Sequence, residues 1–161
     1  EFPNISQHSL LETLEHWLLP YLSNVSTLKQ LKQLDIYGLL KANLTWEQQQ
    51  FLDEHAPEYY CTPSDKNIAI RYDEHQGPTV SVILQEMFGQ LESPKLAKGQ
   101  IAIRFELLSP ARRPIQTTSD LGNFWRSSYF DVAKDMRGKY PKHRWPEKPL
   151  EEKPGRSMKR K

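Results

Sequence analysis

The sequence has little cysteine and no long apolar run. Cys61 is the only cysteine among 161 residues, so no disulfide can form within the chain, and a lone thiol is typical of a reducing compartment such as the cytoplasm. No stretch approaches the ~18 consecutive apolar residues of a transmembrane helix, so we expect no membrane span. The chain also begins without Met and without a signal-peptide pattern, and we interpret Glu1-Phe2-Pro3 as a cut through a longer protein.

The motifs of nucleotide hydrolysis and of metal binding are missing as well. No Gly-x-x-x-x-Gly-Lys-Ser/Thr loop is present to hold a triphosphate, since Gly138-Lys139 lacks the upstream glycine and the following hydroxyl. Asp53-Glu54-His55 resembles part of the acidic box of nucleotide-hydrolysing motors, but it ends an amphipathic helix rather than a buried strand. The histidines are scattered and Cys61 has no cysteine partner at ligand spacing, which argues against zinc. We predict no catalytic, cofactor-binding or metal-binding residue.

The charge is balanced overall but unevenly placed. The chain carries 22 Lys and Arg against 20 Asp and Glu, a formal net charge of +2. Residues 134–161 hold eleven of the cations and four of the acids, so the C-terminal part is basic and the remainder is acidic. A basic arm on an acidic body favours a polyanionic partner, most often nucleic acid. The alternative is a tail that only raises solubility.

Apolar periodicity divides the chain into a helical part and a β part. Over residues 6–55 apolar side chains recur every three to four positions, and Thr45 with Gln48 matches a capping box, which together predict short helices. Beyond residue 57 the period changes to two, and short strands without a long crossover helix predict a small antiparallel sheet or barrel. A further amphipathic helix is predicted over 120–137, ending at Gly138. We expect buried side chains for Trp17, Trp46 and Trp125.

The predicted fold class is therefore α+β. Residues 1–56 form a small helical-bundle segment, residues 57–116 a small antiparallel β domain, and residues 117–150 a C-terminal helix with an extension. Residues 151–161 are a basic tail, whose lack of apolar side chains predicts disorder. We expect the chain to fold as a monomer.

Two segments carry candidate binding residues. From Arg137 to Trp145 cations alternate with aromatic rings, and cations bind phosphates while rings stack on bases. The alternative for this segment is a clamp in which the two rings pack on the sheet. The loop Ser109–Gln116 is basic and flanked by prolines; its alternative is a tight structural turn. The candidate nucleic-acid contacts are Arg112, Arg113, Arg137, Lys139, Tyr140, Lys142, Arg144 and Trp145.

Several sequence blocks resemble one family closely. They are LLSPARRPIQTTSDL at 107–121, RGKYPKH at 137–143 followed by Trp145-Pro146, LQEMFG at 84–89 and WLLPYL at 17–22. Over about residues 10–150 the chain resembles the C-terminal region of the HrpB family, bacterial DEAH-box ATP-dependent helicases. It departs from that family at Thr62–Lys66, where no glycine stands in a turn expected to contain one.

The resemblance implies a layout and a function. The two motor domains, with their ATP and Mg²⁺ site, would lie upstream in the same protein, so this part would hold no cofactor. Residues 1–56 would end the helical-bundle region, residues 57–116 would be OB-like, and residues 117–150 would be a family-specific extension. The expected role is a non-catalytic accessory region of a cytoplasmic helicase that contacts single-stranded nucleic acid, RNA in particular. The alternative role is a protein-interaction module that docks on the motor domains or on a partner protein.

Overall fold

Short helices make up the first part of this computed structural model, which describes residues 2–158. The predicted capping box is confirmed, because Gln48 N donates to Thr45 Oγ1 over 3.3 Å and Thr45 N donates to Gln48 Oε1 over 2.8 Å. Pro20 lies in a 3-10 turn, and the first predicted helix ends before it, as expected for a proline. The helices are α1 (Gln7–Glu12), α2 (Leu14–Trp17), α3 (Leu28–Lys32), α4 (Ile36–Ala42) and α5 (Trp46–His55), with the 3-10 turn at Leu19–Tyr21.

The chain divides into two compact units, one ending at Glu54 and one beginning at His55. Helices α1 to α5 contain no buried residue. The expected burial of Trp46 is wrong, since its exposed fraction is 71%, and Trp17 is only half-buried. Periodicity identifies an apolar face on these helices, but such short helices do not enclose one another far enough to bury it.

The second unit contains all the strands of the described chain. In chain order they are β1 (Tyr59–Cys61), β2 (Asn67–Ala69), β3 (Arg71–Asp73), β4 (Gly77–Ile83), β5 (Lys95–Leu96), β6 (Ile101–Ala102), β7 (Arg104–Leu108) and β8 (Pro114–Thr118). Alternate residues of β7 are buried, which is the period of two that the sequence indicates. The α+β class is confirmed.

The largest sheet has the strand order β3-β4-β7-β8, and its central pair is parallel. The other pairs in it are antiparallel, as are the two-stranded sheets β1–β2 and β5–β6, in agreement with the antiparallel pairing predicted, although the strands form three separate sheets rather than one. The parallel pair was not foreseen, because no crossover helix is predicted. A 3-10 turn at Leu84–Met87 and the β5–β6 hairpin make a connection long enough to return the chain in the same direction.

Two helices follow the sheet where the sequence predicts one. They are α6 (Leu121–Arg126) and α7 (Ser128–Lys139), so Gly138 lies inside the last helix rather than after it. Their buried side chains join those of β4 and β7 in one apolar cluster. Trp125 is 2% exposed, which confirms its predicted burial, and its ring centroid lies 5.4 Å from that of Tyr129. The segments 57–116 and 117–150 thus share a core.

The turn Thr62–Lys66 forms without a glycine. Asp65 has a φ of +61°, in the left-handed region that Asp tolerates better than most side chains. Buried Glu86 accepts hydrogen bonds from Ser64 Oγ and, over 2.5 Å, from Lys66 Nζ. A carboxylate from another part of the chain therefore holds the turn in place.

Residues 151–158 follow a defined path, although the sequence predicts disorder for this segment. Gly155 N donates to Gln85 O over 2.9 Å, and Arg144 donates to carbonyl oxygens further along the segment. Hydrogen bonds to the main chain leave no apolar pattern in a sequence, which is why composition points to disorder. Lys159, Arg160 and Lys161, the last basic residues of the predicted tail, lie outside the described residues. Over residues 2–158 no helix has both the length and the apolar character to cross a membrane.

Candidate nucleic-acid interface

Three of the predicted cations lie at the exposed end of α7 or just after it. The helix buries Tyr129 and Ala133 on one side and leaves Arg137 and Lys139 exposed, as helical periodicity requires. Lys142 follows the helix, is exposed, and has no hydrogen-bond or ion-pair partner among residues 2–158. We call Arg137, Lys139 and Lys142 the helix-end cations.

Two helix-end cations already have partners, but neither partner occupies the whole cationic group. Lys139 Nζ lies 2.9 Å from Asp135 Oδ2, and both side chains are more than half exposed, so the pair contributes little to stability and can exchange for another anion. Arg137 Nη2 donates to Trp145 O over 2.8 Å. A guanidinium has five N–H donors, so this bond leaves donors for a phosphate.

The loop after β7 is a tight turn closed on Ser109. Ser109 N donates to Arg113 O and Arg112 N donates to Ser109 O, both over 2.8 Å, while Arg113 N donates to Ser109 Oγ over 3.1 Å. Ser109 is buried, whereas Arg112 and Arg113 are exposed. The structural turn and the basic loop are therefore one feature, because the turn presents both arginines at the surface.

Tyr140 brings the two predicted segments together. Its hydroxyl lies 3.3 Å from Ser109 Oγ, so the end of α7 contacts the turn that carries Arg112 and Arg113. The ring is half-buried and packs against the apolar cluster, which leaves only part of it for a base. The sequence offered no direct signal for this contact, because the two residues are far apart along the chain.

Trp145 does not lie on the surface. It is 3% exposed, and its Nε1 donates to Tyr140 O over 3.0 Å. The stacking role predicted for Trp145 is wrong for this arrangement, since a buried ring has no free face for a base. The structure agrees with the clamp alternative. Next to Trp145, the Tyr129 hydroxyl donates to Pro146 O over 2.8 Å, which fixes the same loop to α7.

Arg144 is also turned inward, contrary to its predicted role as a phosphate contact. Its Nη1 lies 2.8 Å from Glu152 Oε2, and the rest of its guanidinium donates to the carbonyl oxygens of Lys153, Gly155 and Ser157 over 2.8–3.1 Å. The guanidinium carbon also lies 5.6 Å from the centroid of the Phe88 ring. These contacts use the donors that a phosphate would need, so Arg144 folds the C-terminal segment instead.

Two cations that the sequence did not single out lie near Arg112. Lys66, from the turn before β2, and Arg156, from the C-terminal segment, line the same cleft as Arg112. No sequence pattern joins these three residues, because each comes from a different segment. The charge asymmetry includes Arg156 among the C-terminal cations, and that was the one signal pointing to it.

The charge of this region at neutral pH comes from Lys and Arg. Burial lowers the pKa of His143, and Arg156 nearby lowers it further, so this imidazole is neutral at pH 7. On the neighbouring sheet, the Ser81 hydroxyl and the Arg71 guanidinium lower the pKa of Glu106 and keep it ionised. In the described part of the chain, no three His, Cys, Asp or Glu side chains are grouped to hold a metal ion.

A known protein family matches most of the chain. The family described as "ATP-dependent helicase C-terminal", HrpB_C, matches residues 17–149. The match covers most of the helical part, from Trp17 onward, every strand of the described chain and both final helices.

Comparison with characterised proteins and solved structures agrees. The chain is 46% identical over 160 residues to the ATP-dependent RNA helicase HrpB of Escherichia coli strain K12, covering 99% of this chain and 20% of that protein. A crystal structure of the E. coli DExH-box NTPase HrpB has a TM-score of 0.84 at 46% identity, covering 97% of this chain and 19% of its own. A crystal structure of the E. coli DEAH/RHA helicase HrpB has a TM-score of 0.68 at 45% identity, covering 90% and 18%. The chain spans about a fifth of the length of these relatives.

Proposed function

Because the chain belongs to the family of HrpB ATP-dependent helicase C-terminal regions, we propose that it is the accessory region of a longer helicase and that it binds single-stranded nucleic acid, RNA first of all. The ATP-hydrolysing motor, with its Mg²⁺, would belong to the part of the protein that this chain does not include. The chain itself would be monomeric, non-catalytic and cytoplasmic, and its sheets would serve as an OB-like platform.

The placement of the helix-end cations supports this proposal most directly. Arg137, Lys139 and Lys142 are exposed, and no Asp or Glu lies between Arg137 and Arg144 in the sequence. Tyr140 connects them to the turn that exposes Arg112 and Arg113. A surface of this kind contacts the sugar-phosphate backbone, so it would bind different sequences about equally well.

Binding by this region alone would be weak. Each single-strand phosphate contact contributes a slope of roughly −0.7 in log K against log salt, so a handful of contacts gives modest affinity that falls quickly as salt rises. Such binding becomes useful when another part of the same protein already holds the strand, since the second contact is then intramolecular.

Fluorescence anisotropy with labelled poly-U and mixed-sequence RNA tests the proposal. We expect the chain to bind both RNAs with similar affinity at low salt, and to lose affinity linearly on a log–log salt plot. Absence of binding at low salt, or binding that does not change with salt, would contradict it.

A second candidate function is docking on another polypeptide surface. It is favoured by the large apolar side chains that the first unit exposes, among them Leu28 at 76%, Trp46 at 71% and Tyr37 at 59%. Exposed apolar groups in such number are typical of a surface that another protein covers. Capture of a partner that persists at high salt, without RNA binding at low salt, would favour this function over the first.

A further inference from the structure

A cleft of about 310 Å³ lies beside the largest sheet and is lined by three cations from three segments. Lys66 comes from the turn before β2, Arg112 from the Ser109 turn, and Arg156 from the C-terminal segment. Apolar side chains, including Ile68 and Leu108, form part of its wall. Its volume is at the lower end of the range for small-ligand pockets, so it suits one small anionic group with an apolar portion.

The cleft carries excess positive charge. Its one carboxylate, buried Glu86, is already paired with Lys66 over 2.5 Å and hydrogen-bonded by Ser64. Neither Arg112 nor Arg156 has a carboxylate partner among residues 2–158. Three cations against one carboxylate leave a formal charge of +2 in a concave surface, where low-dielectric walls concentrate the field and attract anions.

Hydrogen bonds fix the main chain on either side of Arg112 and Arg156. Arg112 has a φ of +60°, a conformation that favours glycine, and three hydrogen bonds close its turn on Ser109. These hydrogen bonds fix the main-chain position from which the Arg112 side chain extends into the cleft. The segment that carries Arg156 is fixed on either side of it, because Arg144 donates to Gly155 O and Ser157 O.

We propose that this cleft binds one nucleotide unit of a single strand, with the phosphate on Arg112 and Arg156 and the sugar and base against the apolar wall. This inference rests on the proposed nucleic-acid binding and extends that surface from the helix-end cations, across the Ser109 turn, into the cleft. An acidic side chain from a partner protein would pair with the arginines but leave the apolar wall uncovered. A nucleotide covers both.

The test replaces both arginines with glutamine in the 161-residue chain. Arg112→Gln/Arg156→Gln removes two charges and retains side-chain length. Lys66 stays unchanged, because its removal would leave the buried Glu86 carboxylate without its ion pair. Lys29→Gln/Lys32→Gln is the matched control, since it removes two exposed charges from α3 in the other unit. Arg112→Lys/Arg156→Lys preserves the charge.

Anisotropy with labelled U12 RNA at several salt concentrations gives the readout. We expect the glutamine pair to bind about three- to tenfold more weakly at low salt, with a slope shallower by roughly 0.7 for each arginine that binds a phosphate in the parent. The α3 control should match the parent, and the lysine pair should keep most of the slope. Melting curves check folding, and Arg156→Gln alone, which changes an exposed side chain, replaces the pair if the pair does not fold.

The outcomes separate the proposed RNA binding from the assignment of the cleft to a strand. If the parent binds and the glutamine pair binds as tightly with the same slope, the cleft is not a strand site, although the proposed function stands. If the parent does not bind RNA at low salt, the proposed function fails and this inference fails with it. If micromolar free uridine monophosphate displaces U12 from the parent but not from Arg112→Gln/Arg156→Gln, the cleft binds a free nucleotide. That result would overturn the strand assignment.

Discussion

Arg144 and Glu152 form an ion pair, with 2.8 Å between Nη1 and Oε2, that fixes the C-terminal segment to the body of the second unit. Only 17% of the Arg144 side chain is exposed, and its remaining donors bind the carbonyl oxygens of residues 153–157. The basic composition predicts that Arg144 contacts a phosphate, but in the structure its guanidinium holds the C-terminal segment against the rest of the unit. Because Arg156 lies within that segment, Arg144 also sets its position.

Replacing Arg144 should destabilise the fold and release the segment it holds. For Arg144→Ala we expect a loss of about 2 kcal/mol in the free energy of unfolding, because several charge-assisted hydrogen bonds disappear. Urea denaturation measures the loss, and hydrogen exchange should show faster exchange at Gly155 N. Lys142→Ala, which removes an exposed cation two residues away, serves as the control and should unfold like the parent. Equal stability of the two variants would contradict the role of Arg144 in holding the C-terminal segment.

Trp145 should matter for stability and not for stacking. Trp145→Ala should cost about 3–5 kcal/mol because it empties a buried site, whereas Trp46→Ala, at a 71% exposed site, should cost little. Trp145→Leu, which has no ring to stack on a base, should fold with reduced stability and bind RNA with the affinity of the parent. Thermal melting and anisotropy measure the two effects. Loss of RNA affinity in a folded Trp145→Leu would restore the stacking role.

The stability of the sheet should depend on Glu106 in acid. Hydrogen bonds from Ser81 and Arg71 lower the pKa of Glu106 below its usual 4.5, so its contribution to stability is complete above that value and is lost as pH falls through the folded-state pKa. Glu106→Gln should therefore be less stable than the parent at pH 7, by about 1 kcal/mol, and this difference should shrink as pH falls below 4.5. Urea denaturation midpoints measured from pH 7 to below pH 4.5 give the difference between Glu106→Gln and the parent, and Glu92→Gln, at an exposed site, is the control. A difference that does not change with pH would contradict this account.

Local signals predicted much of the fold. Thr45 and Gln48 cap a helix within one turn, and the stripe containing Trp125 repeats at helical spacing, so both followed from nearby residues. Helical spacing places Trp46 on an apolar face, but spacing alone does not show whether another element covers that face, so the exposure of Trp46 could not be predicted. The parallel β4–β7 pair depends on the route of a connection of about twenty residues, which local periodicity does not specify.

The candidate site was predictable only in part. Composition identified the basic and aromatic segment but not which side chains face inward. Arg144 and Trp145 turn inward because Glu152, Tyr140 and main-chain carbonyls provide partners that no spacing rule reveals. Lys66 was missed because its proximity to Arg112 depends on tertiary folding. The resemblance of sequence blocks indicated the helicase C-terminal family, which charge and periodicity alone do not identify.

The salt dependence of RNA binding by a variant without the helix-end cations tests the central claim most directly. With Arg144 directed inward, Arg137, Lys139 and Lys142 remain, and three single-strand contacts correspond to a slope of roughly −2. We predict that Arg137→Gln/Lys139→Gln/Lys142→Gln flattens the slope of log K against log salt by about that amount, and weakens poly-U and mixed-sequence RNA equally. A folded triple variant that binds both RNAs with the affinity and slope of the parent would contradict the account, and the docking function would then be favoured.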